Sequence, residues 1–193
     1  MNKICFFFIF FLFLSTNVYS KNVIDIIKED PELTEFYSYL EKTGIKKILE
    51  KKLPWNWTIF APNNNAFNSI PSRVREEILS DQIFSKVLIM DHILTGQKTS
   101  LDIGEEVSNE VTVSNKPIQI YKRGSLFVKD MIVVKENKAA KNGVVHQINC
   151  VMYVQQSQDD NRLTKKQKED FPITSCCMRT DNEINSWIKS TNL

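Results

Sequence analysis

The sequence predicts an α+β fold in which helices come first along the chain and a mostly antiparallel sheet follows. Between residues 22 and 94 apolar residues recur mainly at helical spacing, whereas from residue 111 onward they alternate with a period of two. The stretch 144–154 is rich in Val, Ile and Tyr, and it follows the turn dipeptide Asn142-Gly143. We therefore expect helices packed around one sheet, with 144–154 as a strand of its core.

The first 20 residues predict a signal peptide. A single charge, Lys3, precedes an apolar run from Ile4 to Leu14, and polar residues then lead to Ser20. This run is shorter than the roughly 20 residues that a membrane-spanning helix needs, so we expect a secreted protein without a membrane span. The predicted organisation is a signal peptide (1–20), one domain (21–154), and a polar linker and C-terminal tail with a short helix (155–193).

Charge excludes one class of partner. Removal of Lys3 with the signal peptide leaves 25 − 1 = 24 Lys and Arg against 23 Asp and Glu, and these charges are interspersed. Without a strongly basic face we expect no nucleic-acid binding.

The cysteines of an exported chain are disulfide candidates. With Cys5 removed, Cys150, Cys176 and Cys177 remain, which is an odd number. If Cys150 points into the core, as strand alternation predicts, a bridge to Cys176 or Cys177 brings the tail back to that strand. A bridge between the adjacent Cys176 and Cys177 is the strained alternative.

Helices are predicted in the first half of the domain. A short helical pattern covers 22–28, and Asp30-Pro31 then supplies a cap and a first helical residue. The buried stripe of this second helix is Leu33, Phe36, Tyr37 and Leu40, and Gly44 ends it. Another helix is expected within 78–94, capped by Ser80 or Asp81 and ended by Gly96, with a buried stripe of Ile83, Phe84, Val87 and Leu88.

Strands are predicted before and after that helix. Residues 54–67 form a short β-rich run, broken by Ala61-Pro62 and an asparagine cluster, which we interpret as a strand that leads into a helix start. The period-two segments, separated by turns at 114–117 and 123–125, are 111–113, 118–120, 126–128 and 131–134.

Three stretches in this order resemble the signatures of the fasciclin-like domain, and together they cover roughly residues 22–154. They are Trp57 to Phe67, Leu88 to Gly96, and Asn142 to Met152. The motif positions that carry the resemblance are Phe60, Pro62, Phe67, His92, Asn142, Gly143 and His146.

The resemblance implies a compact β-wedge with helices packed around it, and adhesion at a cell surface or in the extracellular matrix through a protein or glycan partner. The candidate binding residues that it implies are Asp91, His92 and Asn149. Two of them depart from the family pattern: Asp91 stands where adhesive members have tyrosine, and Asn149 stands where an aspartate is expected. The alternative that the resemblance implies is binding of haem or another apolar ligand through the histidines.

Neither histidine predicts an active site. A lone histidine in an apolar row, as His146 is, is usually a hydrogen-bonded core residue, and His92 lies on or beside a buried helical stripe. His146 and Cys150 are four strand residues apart, roughly 13 Å, which is too far for a nucleophile and its base. The sequence also lacks metal-ligand spacing and a glycine-rich phosphate loop. We therefore expect no enzyme activity, no metal and no cofactor.

Asn56-Trp57-Thr58 is an N-glycosylation sequon. In an exported chain Asn56 is a candidate glycan site if it lies at the surface. Because Trp57 begins a predicted strand, burial of the sequon is the competing expectation.

Overall fold

The computed structural model describes residues 21–70, 75–76, 79–129, 131–156 and 173–177, the last segment and residues 153–156 by their backbone. The helices are α1 (Val23–Glu29), α2 (Thr34–Lys42), α3 (Ile45–Leu49), α4 (Asn64–Asn68) and α5 (Gln82–Met90). The strands are β1 (Trp57–Pro62), β2 (Ile93–Thr95), β3 (Ser108–Val111), β4 (Pro117–Arg123), β5 (Ser125–Val128), β6 (Met131–Ala140), β7 (Gly143–Ile148), β8 (Met152–Gln156) and β9 (Ile173–Cys177). The predicted signal peptide and C-terminal helix lie outside the described residues.

Seven strands form one sheet in the order β2-β1-β7-β6-β5-β4-β3. All neighbours run antiparallel except β1 and β7, which are parallel from Trp57 opposite Gly143 to Pro62 opposite Ile148. Leu94 bridges to Thr112 beyond β3, so the two ends of the sheet approach each other. The α+β class and the mostly antiparallel sheet are confirmed.

Two apolar clusters fill this architecture. One lies between the helices and strands β1, β2 and β7, with Phe36, Leu40 and Phe67 among its largest buried side chains. The other fills the concave side of the meander, and it includes Phe60, Ile120 and Leu126. Burial of both clusters supplies the main driving force for folding.

The strand predicted at 144–154 is wrong in its length. β7 ends at Ile148, residues 149–151 bend away, and β8 then pairs with β9 in a separate two-stranded sheet. Pairing with β1 ends where Pro62 lies opposite Ile148, and the Asn63 N–H makes the last bond of this ladder, to the Ile148 carbonyl (2.9 Å).

Two helix predictions also need correction. The second helix begins at Thr34, because Asp30 accepts a hydrogen bond from the Glu32 N–H and forms a turn before it. α5 has the predicted Asp81 cap, but Ile83 is 57% exposed, and the buried residues of this helix are Ser85, Leu88 and Ile89. Six of the nine α5 residues are apolar, and they lie on more than one face of the helix, so the pattern did not define which face packs inward.

Candidate functional site

His92 is buried completely just after α5, and both of its ring nitrogens are hydrogen-bonded. Nδ1–H donates to the Leu88 carbonyl (2.8 Å), and Nε2 accepts from the Met152 N–H (2.8 Å). This arrangement requires the neutral ring. Burial lowers the pKa of His92 to about 4, against an ordinary value of 6.5. His92 therefore joins the end of α5 to the start of β8.

His146 plays a similar part at the centre of the sheet with the opposite tautomer. Its Nε2–H donates to the Lys98 carbonyl (2.9 Å), and its Nδ1 accepts from the Asn137 N–H (3.2 Å). Burial lowers the pKa of His146 below its usual range. Asn137 has a φ of 60°, within the irregular part of the β6–β7 ladder, so the ring holds a bulged segment in place.

Phe60 connects the two histidines. Its backbone N–H donates to the His92 carbonyl (2.9 Å), and its ring stacks on His146 with the centroids 5.4 Å apart. All four imidazole nitrogens are engaged with backbone groups of the protein itself. In the folded chain neither ring has a free lone pair for proton abstraction or for coordination of haem iron.

The other motif residues also make internal contacts. Asn142 accepts from the Val23 N–H and donates to the Leu49 carbonyl, both at 2.9 Å, so it ties α1 and α3 to the start of β7. Phe67 is buried and stacks on Tyr39, with 5.1 Å between the ring centroids. The motifs recognised in the sequence thus hold helices and strands together.

Gly143 is required by a close approach between strands. A Cβ at this position would lie 2.2 Å from the Trp57 carbonyl oxygen and 2.8 Å from its nitrogen. Its φ of 156° is also one that residues with a side chain rarely adopt, so both the contact with β1 and the backbone conformation favour glycine.

Of the three candidate binding residues, only Asn149 lies at the surface. Asp91 is fully buried, where its carboxylate accepts from the Ser114 hydroxyl and pairs with the Lys116 ammonium at 3.3 Å. Asp91 and His92 offer no exposed group, so the structure leaves Asn149 alone among the three for direct contact with a partner.

The sequon is divided between surface and interior. Asn56 is exposed, and its Nδ2 donates to Gln97 Oε1 (3.0 Å). Thr58 is buried, donates to the Gly96 carbonyl (2.7 Å) and accepts from the Lys98 N–H (2.9 Å). Thr58 therefore has a structural role of its own, while the Asn56 amide remains accessible.

Cys150 is 3% exposed and is not a free thiol. The β8–β9 register places Cys177 opposite Met152 and Cys176 opposite Tyr153, so both candidate partners are near Cys150 in the fold. The side chains of Cys176 and Cys177 lie outside the described part of the structure.

Sequence patterns did not reveal an apolar groove between α3 and α5. Trp57 and Ile93 line it together with Ile48, Leu49 and Met90. The signal was the exposed apolar side of α5, which periodicity could not separate from the buried side.

No helix in the described part of the chain is long and apolar enough to cross a bilayer. No group of three or more His, Cys, Asp or Glu side chains in the same residues is placed to hold a metal ion.

Comparisons with known proteins agree with this fold. The family model for the fasciclin domain matches residues 31–154. Human periostin is 29% identical over 139 residues, which cover 69% of this chain and 16% of periostin. Fasciclin-1 of Schistocerca americana is 30% identical over 136 residues, covering 65% of this chain and 18% of that protein. The chain therefore spans less than a fifth of either relative.

A solved structure shows the same fold. A FAS1 domain pair from the insect cell adhesion molecule fasciclin I superposes with a TM-score of 0.55 at 15% sequence identity. The match covers 67% of this chain and 49% of that one.

Proposed function

Because the chain belongs to the fasciclin domain family, we propose that it is a secreted interaction module that mediates adhesion at a cell surface or in the extracellular matrix by binding a protein or glycan. The observation that carries this proposal is the internal use of the motif side chains. Both imidazoles, Asn142 and Asp91 bond to groups of the protein itself, so the outer surface is what a partner meets. Relatives that include an insect cell adhesion molecule support it.

Cell attachment tests this function. Residues 21–193 are expressed through a eukaryotic secretory pathway and coated on plates at graded densities. The number of attached cells, or the amount of bound matrix protein, is compared with that on plates coated with albumin. We expect density-dependent attachment that is lost when the coated protein is first unfolded and alkylated. Attachment equal to that on albumin at every density contradicts an adhesive role.

Asn56 is the proposed glycan site of this module. Its exposed amide is accessible, and export would bring the sequon to the glycosylation machinery. We expect endoglycosidase treatment to increase the gel mobility of the secreted parent protein and to leave that of the Asn56→Gln variant unchanged. If the untreated parent and the untreated Asn56→Gln variant have the same gel mobility, Asn56 is not glycosylated.

A disulfide from Cys150 to Cys176 or Cys177 is the proposed link between the core and β9. The antiparallel β8–β9 register brings both candidates close to Cys150 along the chain path. Non-reducing peptide mapping of the parent, Cys176→Ser and Cys177→Ser proteins identifies the pair. A Cys176–Cys177 bridge in the parent protein is the result that overturns this link.

A further inference from the structure

The groove between α3 and α5 is an apolar concave surface, and its size suits a single side chain. Ile48 and Leu49 form one wall, Met90 the other, and Trp57 and Ile93 the floor. The cavity measures about 160 Å³. Sites for small molecules and cofactors are usually about 300 Å³ or larger, so this volume is too small for them.

Exposed aliphatic side chains extend the groove at both lips. Ile48 is 39% exposed on the α3 side. Ile83 is 57% exposed and lies three and seven residues before Lys86 and Met90, which places all three on one face of α5. Exposed aliphatic side chains grouped near an apolar cavity are typical of interaction sites on protein surfaces.

The charges around the groove are mainly positive. Lys86 is the one charged residue that lines it. In the sequence Lys51 and Lys52 come after Glu50, the C-cap of α3, and Glu50 is the only carboxylate between Ile45 and Lys52. Within the described structure these three lysines form no ion pair, whereas Lys46 is paired with Glu41. An acidic partner would meet the unneutralised ammonium group of Lys86 at the apolar cavity.

We propose that the groove docks an acidic amphipathic protein segment, which inserts one leucine- or phenylalanine-sized side chain between α3 and α5 and places a carboxylate against Lys86. This inference rests on the proposed adhesive function and names the surface and the class of partner for it. An apolar anchor in a desolvated pocket, surrounded by weaker polar contacts, is the usual energetic centre of a protein interface. A glycan fits less well, because the walls and floor offer few hydrogen-bonding groups to its hydroxyls.

Two labelled helical peptides test the groove. Both carry leucine and phenylalanine on one face; the polar face is glutamate in the first and lysine in the second. They are titrated by fluorescence anisotropy into the secreted 21–193 protein, its Ile48→Ala and Lys86→Glu variants, and the matched control Ile132→Ala. Ile132 is an exposed aliphatic residue on β6, away from α3 and α5. Amide shifts in ¹⁵N-labelled protein locate the bound peptide.

We expect the glutamate peptide to bind the parent and Ile132→Ala within twofold of each other, and Ile48→Ala at least tenfold more weakly. The Lys86→Glu variant should bind the lysine peptide more tightly than the glutamate peptide, which is the reverse of the parent's preference. Equal binding to parent and Ile48→Ala, shifts outside the groove, or no binding of the glutamate peptide overturns the proposal. Light scattering that shows a dimer lost in Ile48→Ala assigns the groove to a second copy of the chain, which also overturns it.

The attachment assay separates this inference from the function on which it rests. If the parent and both groove variants support attachment equally, the groove proposal fails and the adhesive function stands. If the parent supports none while the peptide binds as expected, the adhesive function fails and the groove remains a docking site for acidic segments.

Discussion

The parallel β1–β7 pair and the β3–β6 meander use their side chains differently. Every residue of β1 and of β7 is buried, because helices cover one face of the pair and the meander core fills the other. In β5 and in the first four residues of β4 buried residues alternate with partly exposed ones, and β6 begins with a similar alternation. The family motifs fall in and beside the buried pair, and most of their side chains pack inside the domain, so they specify the fold.

Gly143→Ala should break the buried pair and have the largest effect. The new Cβ would overlap the Trp57 carbonyl oxygen, and β1 and β7 would have to separate. We expect a loss of more than about 4 kcal/mol in the free energy of unfolding, among the largest that a single substitution causes. Urea denaturation followed by circular dichroism measures it.

Gly124→Ala in the β4–β5 turn is the matched control. Its φ is 72°, but nothing lies within 4 Å of the added Cβ, so we expect only the backbone strain of about 1 to 2 kcal/mol. Equal losses for the two variants would show that steric contact between β1 and β7 is not the reason for glycine at 143.

Acid should weaken the molecule through His92. The folded-state pKa of about 4 lies below the ordinary 6.5, so the folded protein resists protonation. Stability is then full above pH 6.5, falls as the pH drops from 6.5 to 4, and has lost about 3 kcal/mol at the lower limit. Unfolding free energies measured every half pH unit give this slope.

The effect of His92 on stability can be distinguished from that of the carboxylates by a variant and by the pH range. The slope between pH 6.5 and 4 should become shallower in His92→Gln, whatever its absolute stability, and the buried His146, whose pKa is also lowered, contributes to the slope that remains. Hydrogen bonding to Lys135 lowers the pKa of Glu32, so its contribution disappears only below its ordinary 4.5. An unchanged slope in the variant would remove His92 as the cause.

Motif residues were the most predictable part of the structure, and irregular backbone was the least. The Asn142-Gly143 turn could be predicted because the Asn-Gly dipeptide occurs mainly in tight turns. The bulge at Asn137 could not, since it depends on hydrogen bonds to Ser100 and His146 that are distant in sequence. Burial of Asp91 was equally hidden, because its partners Ser114 and Lys116 come from a later hairpin.

His146→Ala tests the link between the two regions and should have an intermediate effect. The substitution leaves the Lys98 carbonyl and the Asn137 N–H without their partner and removes the ring packed on Phe60. We expect a loss of about 1 to 3 kcal/mol in thermal or urea unfolding. The amide exchange rate should increase more at Asn137 than in β1 when the variant is compared with the parent protein. Equal exchange rates at Asn137 in the two proteins would contradict a role of His146 in holding the bulge.

Ile132→Ala in the meander should have the smallest effect on the free energy of unfolding, and its neighbour Val133 provides a direct comparison. Ile132 is 49% exposed, while Val133 is 5% exposed and belongs to the meander core. Because adjacent strand residues face opposite sides, truncation of Val133 to alanine should cost about 1 to 3 kcal/mol, and truncation of Ile132 no more than about 0.5. A large loss at Ile132 would mean that another part of the chain covers this outer face, and the meander would then resemble the buried pair.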